Sequence, residues 1–213
     1  MNLVFPRLYA IIDPTLLTSS ELALAEALAG SGVELIQYRN KTVSSRQFFE
    51  TSRQLTSVLG PRLVRLIVND RADIALLAGA GGVHVGQEDL GVEDARAICG
   101  PNRWVGVSTH SLEQVAAADR TSADYIAFGP IFPTATKKNS DPVVGTELLR
   151  KARQMTKKPL VAIGGITLEH AAEVYRAGAD SLAVIRDLIC APDPGARARE
   201  YLAVAASTTF RGA

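Results

Sequence analysis

Cysteine is scarce in this chain. Its 213 residues hold only Cys99 and Cys190, far apart and without ligand-like spacing, which excludes a disulfide scaffold and a thiolate metal centre. Free thiols in a reducing cytosol are expected instead. A dominant charge is missing too: 23 Lys and Arg stand against 22 Asp and Glu, and basic runs do not exceed pairs such as Lys157-Lys158. That balance excludes the electrostatic footprint of nucleic-acid binding. No apolar run approaches membrane-spanning length, and residues 1–13 lack a basic segment followed by a cleavage site, so a cytoplasmic protein without membrane contact is expected. A G-x-G-x-x-G turn is also absent, which weakens the case for a doubly wound nucleotide-binding sheet.

What is present is a regular alternation. Apolar residues make up 47% of the chain, enough for a sizeable core. Short β-branched runs at 8–12, 33–38, 66–68, 82–85, 104–107, 125–128, 160–163 and 181–185 read as strands covered on both faces. Amphipathic segments separate them. Leu22, Ala25 and Leu28 mark one stripe behind a cap at Ser19 or Ser20, and Leu168, Ala171, Ala172 and Tyr175 mark another. Gly32, Gly81 and Gly178 stand where helices should stop. Eight such units in this length predict one closed (β/α)8 TIM barrel, a single domain over 1–213 with a frayed tail from about residue 207.

The polar residues that break the pattern follow strand ends, where barrel active sites are built. Gln37, Arg39 and Lys41 are spaced to share one face of an extended chain, and two cations there call for an anion. Asn69-Asp70 and Asp89 end the next two strands, so both carboxylates can hold one cation; Mg²⁺ takes such ligands and fills its shell with water and phosphate. Capping of the next helix by Asp70 is a fair competing reading for either aspartate alone, and a weaker one for both together. Glu88 is expected to face solvent or support the pair. Ser108 and His110 follow the fifth strand, with Ser111 as a cap. His84 is expected to pack and His170 to lie on a helix surface. The long segment after the sixth strand carries Thr134, Thr136 and Lys137, suited to phosphate oxygens, with a surface loop as the plainer reading. Gly164-Gly165 and Ile185-Arg186, after the last two strands, match the recurrent barrel phosphate position. Two anion sites, one with metal and one mostly backbone, suggest two substrates and pyrophosphate as leaving group.

The ordered series Gln37-x-Arg39-x-Lys41, Asn69-Asp70-Arg71, His84-Val85-Gly86-Gln87-Glu88-Asp89, Gly106-Val107-Ser108, Gly129-Pro130-Ile131-Phe132-Pro133-Thr134-x-Thr136-Lys137 and Gly164-Gly165-Ile166 closely resembles the thiamine-phosphate synthase family from about Leu8 to about Ile189. The resemblance implies two small-molecule substrates, a pyrimidine diphosphate and a thiazole phosphate, joined with release of pyrophosphate. It implies that Gln37, Arg39, Lys41, Asn69, Ser108 and Lys137 contact the pyrimidine diphosphate. Asp70 and Asp89 would hold Mg²⁺, and Thr134 and Thr136 would line the thiazole side. Gly165, Ile185 and Arg186 would lie at the thiazole phosphate. By the same resemblance Arg39, Lys41, Ser108 and Lys137 carry the catalytic load, and His110 sits at the site. Arg186 departs from the family's usual serine; its backbone N–H can still serve the phosphate, while the guanidinium adds a contact or fills the pocket.

Two other functions fit parts of this pattern. A thiazole tautomerase on the same barrel relies on a histidine at the position of His110 but tends to lack the metal aspartates. A non-catalytic regulator that binds thiazole phosphate has no use for a second, metal-dependent anion site. Asp70, Asp89 and Lys137 together favour the synthase. The sequence is compatible with a homo-oligomer and does not specify one.

Overall fold

The computed structural model describes residues 5–17, 19–134 and 142–208. Eight parallel strands close into a barrel in chain order: β1 (Leu8–Ile12), β2 (Leu35–Tyr38), β3 (Arg65–Asn69), β4 (Gly82–Val85), β5 (Trp104–Thr109), β6 (Tyr125–Phe128), β7 (Leu160–Ile163) and β8 (Ser181–Val184). Closure is made by β8 pairing with β1, Tyr9 opposite Ala183. The helices are α1 (Glu21–Gly30), α2 (Ser45–Leu59), α3 (Ala72–Leu77), α4 (Val92–Cys99), α5 (Leu112–Asp119), α6 (Gly145–Met155), α7 (Leu168–Arg176), α8 (Arg186–Ile189) and α9 (Pro194–Ser207). Among the described residues none is long and apolar enough to cross a membrane.

Alternation along each strand divides the apolar residues into two layers. Ala10, Ile36, Val68 and Leu182 face outward into the helix layer with Leu28, Leu55 and Val174. Tyr9, Ile11, Leu35, Ile67, Tyr125 and Val161 fill the cylinder. Phe5 and Trp104 stack at 5.1 Å within this inner cluster, and the Arg65 guanidinium lies over the indole at 3.9 Å. The interior is therefore packed, and a ligand must bind at the rim.

Local signals account for most element boundaries. Ser20 caps α1 by accepting from Ala23 N–H, and Ser111 caps α5 by accepting from Gln114 N–H. Gly32 and Gly178 adopt positive φ after their helices, as expected of helix stops. After α3 that role belongs to Gly79, φ 68°, and not to Gly81. Gly81 is needed for space instead, since a Cβ there would meet Arg65 at 2.5 Å. Four strands differ from their expected bounds. β3 is longer by one residue at each end, Arg65–Asn69. β2 begins at Leu35, because Val33 N–H still bonds to Leu28 O in the turn that ends α1. β8 stops at Val184. β5 continues to Thr109, so Ser108 lies within a strand rather than beyond it. Ser207 closes α9, and Thr208 is buried with its carbonyl accepting from Arg7. The remainder of the expected tail, 209–213, lies outside the described residues.

Candidate active site

The expected charged residues after β2, β3 and β4 lie at the C-terminal rim, and each has a partner. Lys41 Nζ lies 2.9 Å from Asp70 Oδ2. Asp89 Oδ2 accepts from Gly86 N–H at 2.7 Å. Asp70 is pushed above the ordinary carboxylate range, first by burial; the Lys41 hydrogen bond opposes this, and the neighbouring Asp89 carboxyl adds to it. Two carboxylates thus stand within hydrogen-bonding reach of each other and repel when both are ionised. Asp70 does not cap α3, whose N-cap is Arg71 without a side-chain bond. It adopts φ 61°, a strained conformation for a non-glycine residue and one that clusters at functional sites. Among the described residues no group of three or more His, Cys, Asp or Glu could hold a metal. The hard oxygen donors of Asp70 and Asp89 suit Mg²⁺, which binds one or two carboxylates and completes its shell from water and phosphate.

Arg39 reaches Asp13, just beyond β1, at 2.5 Å. The Asp13 side chain is only 4% exposed and also accepts from the N–H and hydroxyl of Thr15. Asp13 was not among the expected site residues, although its place directly after a strand marks it by the same rule as the others. Arg39 is thus positioned by a buried carboxylate, and Lys41 by a carboxylate of the proposed metal pair. Asn69 is buried at the end of β3. Glu88 is exposed, as expected.

Beneath the rim runs a buried polar chain. Gln37 Nε2 donates to Tyr9 OH at 2.7 Å, and Tyr9 OH lies 2.9 Å from Tyr125 OH. Tyr125 OH lies 3.0 Å from His84 Nδ1, and His84 Nε2 lies 2.8 Å from Ser108 Oγ. Gln37 therefore faces the barrel interior rather than standing beside Arg39 and Lys41 over the mouth. His84, expected only to pack, links the core to Ser108. Gly106 makes the crossing possible, because a Cβ there would sit 2.0 Å from Tyr125 Cζ. Gln87 Nε2 donates to the Ser108 carbonyl at 2.6 Å.

Burial pulls His84 down to about 4, with Asp89 opposing. An unfolded histidine titrates near ~6.5, so between the two values the unfolded chain binds more protons and stability rises with pH. The contribution is complete above ~6.5 and is lost as pH falls toward 4, on the order of 3 kcal/mol. Denaturant unfolding at pH 4.5 and 7 is expected to show a steeper acid loss for the wild type than for His84→Gln; equal slopes would remove histidine burial as the cause.

His110 Nδ1–H donates to Gly129 O at 2.6 Å, anchoring the start of the segment after β6. That segment packs onto the double glycine: a Cβ on Gly165 would meet Pro133 O at 2.4 Å, and Phe132 N–H bonds to Gly164 O. The glycines are thus needed by the chain beside them, whatever they offer to an anion. His170 is not a plain surface residue, since it stacks on Phe132 at 4.5 Å and bonds to Thr167. Thr134 is half-buried on this side. Thr136 and Lys137 lie outside the described residues. Ile185 precedes α8, and Arg186, its first residue, is exposed.

A parallel barrel whose strand ends gather paired carboxylates, two cations and a hydroxyl is built as a small-molecule enzyme for phosphorylated substrates. Residues 8–188 match the family model described as thiamine monophosphate synthase. The thiamine-phosphate synthase of Koribacter versatilis is 50% identical over 210 residues, covering 95% of this chain and 97% of that protein. The one from Chloroflexus aurantiacus is 43% identical, covering 95% and 94%. A thiamine phosphate pyrophosphorylase structure from Pyrococcus furiosus superimposes with a TM-score of 0.87 at 34% identity, covering 95% and 96%. The chain belongs to the thiamine monophosphate synthase family and is a transferase.

Proposed function

We propose that the chain joins an aminopyrimidine methyl diphosphate to a thiazole phosphate, giving thiamine phosphate and pyrophosphate, with Mg²⁺ held by Asp70 and Asp89. The observation that carries this reading is the meeting of Lys41, Asp70 and Asp89, drawn from three successive strand ends, with Arg39 just past β2 and Ser108 near the end of β5. Family membership over nearly the whole chain supports the same chemistry.

The C–O bond between the pyrimidine methylene and the diphosphate breaks, and its electron pair leaves with the diphosphate. The aminopyrimidine ring delocalises the resulting positive charge. The thiazole nitrogen then gives its lone pair to the methylene carbon. No protein nucleophile is required, so the residues act by placement and by charge. Arg39, steadied by Asp13, and Lys41 offset the charge that grows on the leaving group. Ser108 supplies a neutral hydrogen bond. Mg²⁺, when bound, supplies Lewis-acid stabilisation of the diphosphate oxygens. Thr134, Thr136, Gly165, Ile185 and Arg186 are proposed to hold the thiazole phosphate, and Lys137 the diphosphate; His110 would support the loop between them. The reaction is placed in the cytoplasm.

One assay tests the reading. The protein is mixed with both substrates, with and without Mg²⁺, and pyrophosphate and thiamine phosphate are followed. Both products are expected, and only with the metal. Folded protein that binds both substrates and forms neither product would overturn the proposal. Metal-independent isomerisation of a thiazole carboxylate would point to a tautomerase, and binding without turnover to a regulator.

A further inference from the structure

The chain Gln37–Tyr9–Tyr125–His84–Ser108 holds more order than its distances state. Tyr9 and Tyr125 are 1% and 0% exposed, so each hydroxyl proton must be donated within the chain, an unpaired buried donor being costly. Gln37 donates to Tyr9, whose own proton then has Tyr125 OH as its acceptor. Tyr125 in turn donates to His84 Nδ1. His84 is 6% exposed and its two ring partners are hydroxyls, with no carboxylate among them, an environment that holds a neutral ring. A neutral ring that accepts at Nδ1 carries its proton on Nε2 and donates it to Ser108 Oγ. The Ser108 proton is then left for a group outside the chain.

We infer that Tyr9, Tyr125 and His84 are positioning residues for Ser108: the buried relay orders its protons so that the serine hydroxyl is presented at the barrel mouth as a donor to an acceptor atom of the bound pyrimidine diphosphate. The inference rests on the reaction proposed above for the identity of that ligand. A donor oriented before the substrate arrives needs no reorganisation as charge develops. The opposite proton order would need Gln37 to turn its carbonyl toward Tyr9, and Ser108 would then spend its proton on the imidazole.

Two measurements test this. The first reads ¹⁵N shifts and couplings of the His84 ring in the ligand-free protein. The Nε2–H tautomer is expected, and the Nδ1–H tautomer would overturn the inference whether or not the protein turns over. The second is a double-mutant cycle. Tyr125→Phe is expected to lower kcat/KM about tenfold, the worth of one hydrogen bond. In a Ser108→Ala background the same change is expected to have no further effect. An equal loss in both backgrounds would mean that Tyr125 acts by packing alone, and the relay would be abandoned. A wild type with no turnover would defeat the proposed reaction, while the tautomer measurement would still decide the proton order.

Discussion

Asp89→Asn is expected to lower turnover by ~10²-fold or more while leaving the ligand-free barrel at least as stable as the wild type. The two halves of this expectation have separate causes. Asp89 is exposed, and its hydrogen bond from Gly86 N–H remains within reach of an asparagine carbonyl. Removing its charge relieves the repulsion that helps raise Asp70, so the fold loses a conflict rather than a support. The proposed cation site, however, loses one of its two carboxylates. Turnover measured against Mg²⁺ concentration should shift to higher metal, and thermal unfolding without ligand should stay level or rise. If the variant melts well below the wild type, Asp89 is holding the rim together. If its turnover is unaltered, the carboxylate pair is not the metal site.

Asp70→Asn should behave differently, because Asp70 also holds Lys41. Its loss frees Lys41 as well as removing a proposed metal ligand. The salt bridge is solvent-accessible on the lysine side, 55% exposed, so little stability should go with it. The contrast between the two aspartates is therefore in their neighbours rather than in their chemistry.

How far the primary structure announced this site depends on which direction a side chain faces. Strands β1, β4, β6 and β7 have the bounds expected from their apolar runs, because a strand covered by helices outside and side chains inside is apolar at nearly every position. Residues just past the strand ends stand out because water or ligand must satisfy them. Arg39, Lys41, Asp70 and Asp89 were legible for that reason, and Asp13 obeys the same rule. It escaped notice because a single carboxylate after the first strand has no visible partner until the barrel closes and brings β2 beside β1.

Inside the cylinder the signals are weaker. A histidine in an apolar strand has the same local pattern whether it packs or relays. His84 acquires its meaning from Tyr125, 41 residues away, and Tyr125 from Tyr9, 116 residues away. One local hint exists. Gly106 interrupts a β-branched strand with no turn nearby, which marks a place where another group must approach closely. The glycines after β7 carry a second constraint that the sequence does not display. The contacts that forbid a Cβ on Gly164 and Gly165 come from Pro130, Phe132 and Pro133.

The second large effect separates stability from activity at one ion pair. Arg39→Ala is expected to cost about 3 kcal/mol of stability, the lower end of the range for stranding a buried charge, since Arg39 itself keeps 23% exposure. Its turnover should fall by ~10²-fold or more, because the guanidinium proposed to offset the leaving group's charge is lost. The stability loss belongs to Asp13, left buried with Thr15 as its remaining donor among the described residues. Neutralising that carboxylate should therefore repair it. The double variant Asp13→Asn with Arg39→Ala is expected to unfold at higher denaturant than Arg39→Ala alone, while its turnover stays as low. Asp13→Asn by itself keeps the guanidinium but loosens it, so its kcat should fall less than that of Arg39→Ala. Were the double variant no more stable than Arg39→Ala, the stranded charge would not be the source of the loss. Were it to recover turnover along with stability, Arg39 would be holding the fold and not the diphosphate. A cation whose partner is buried behind it and whose other side opens to the mouth is fixed before the substrate arrives, and the separation of the two losses measures that arrangement directly.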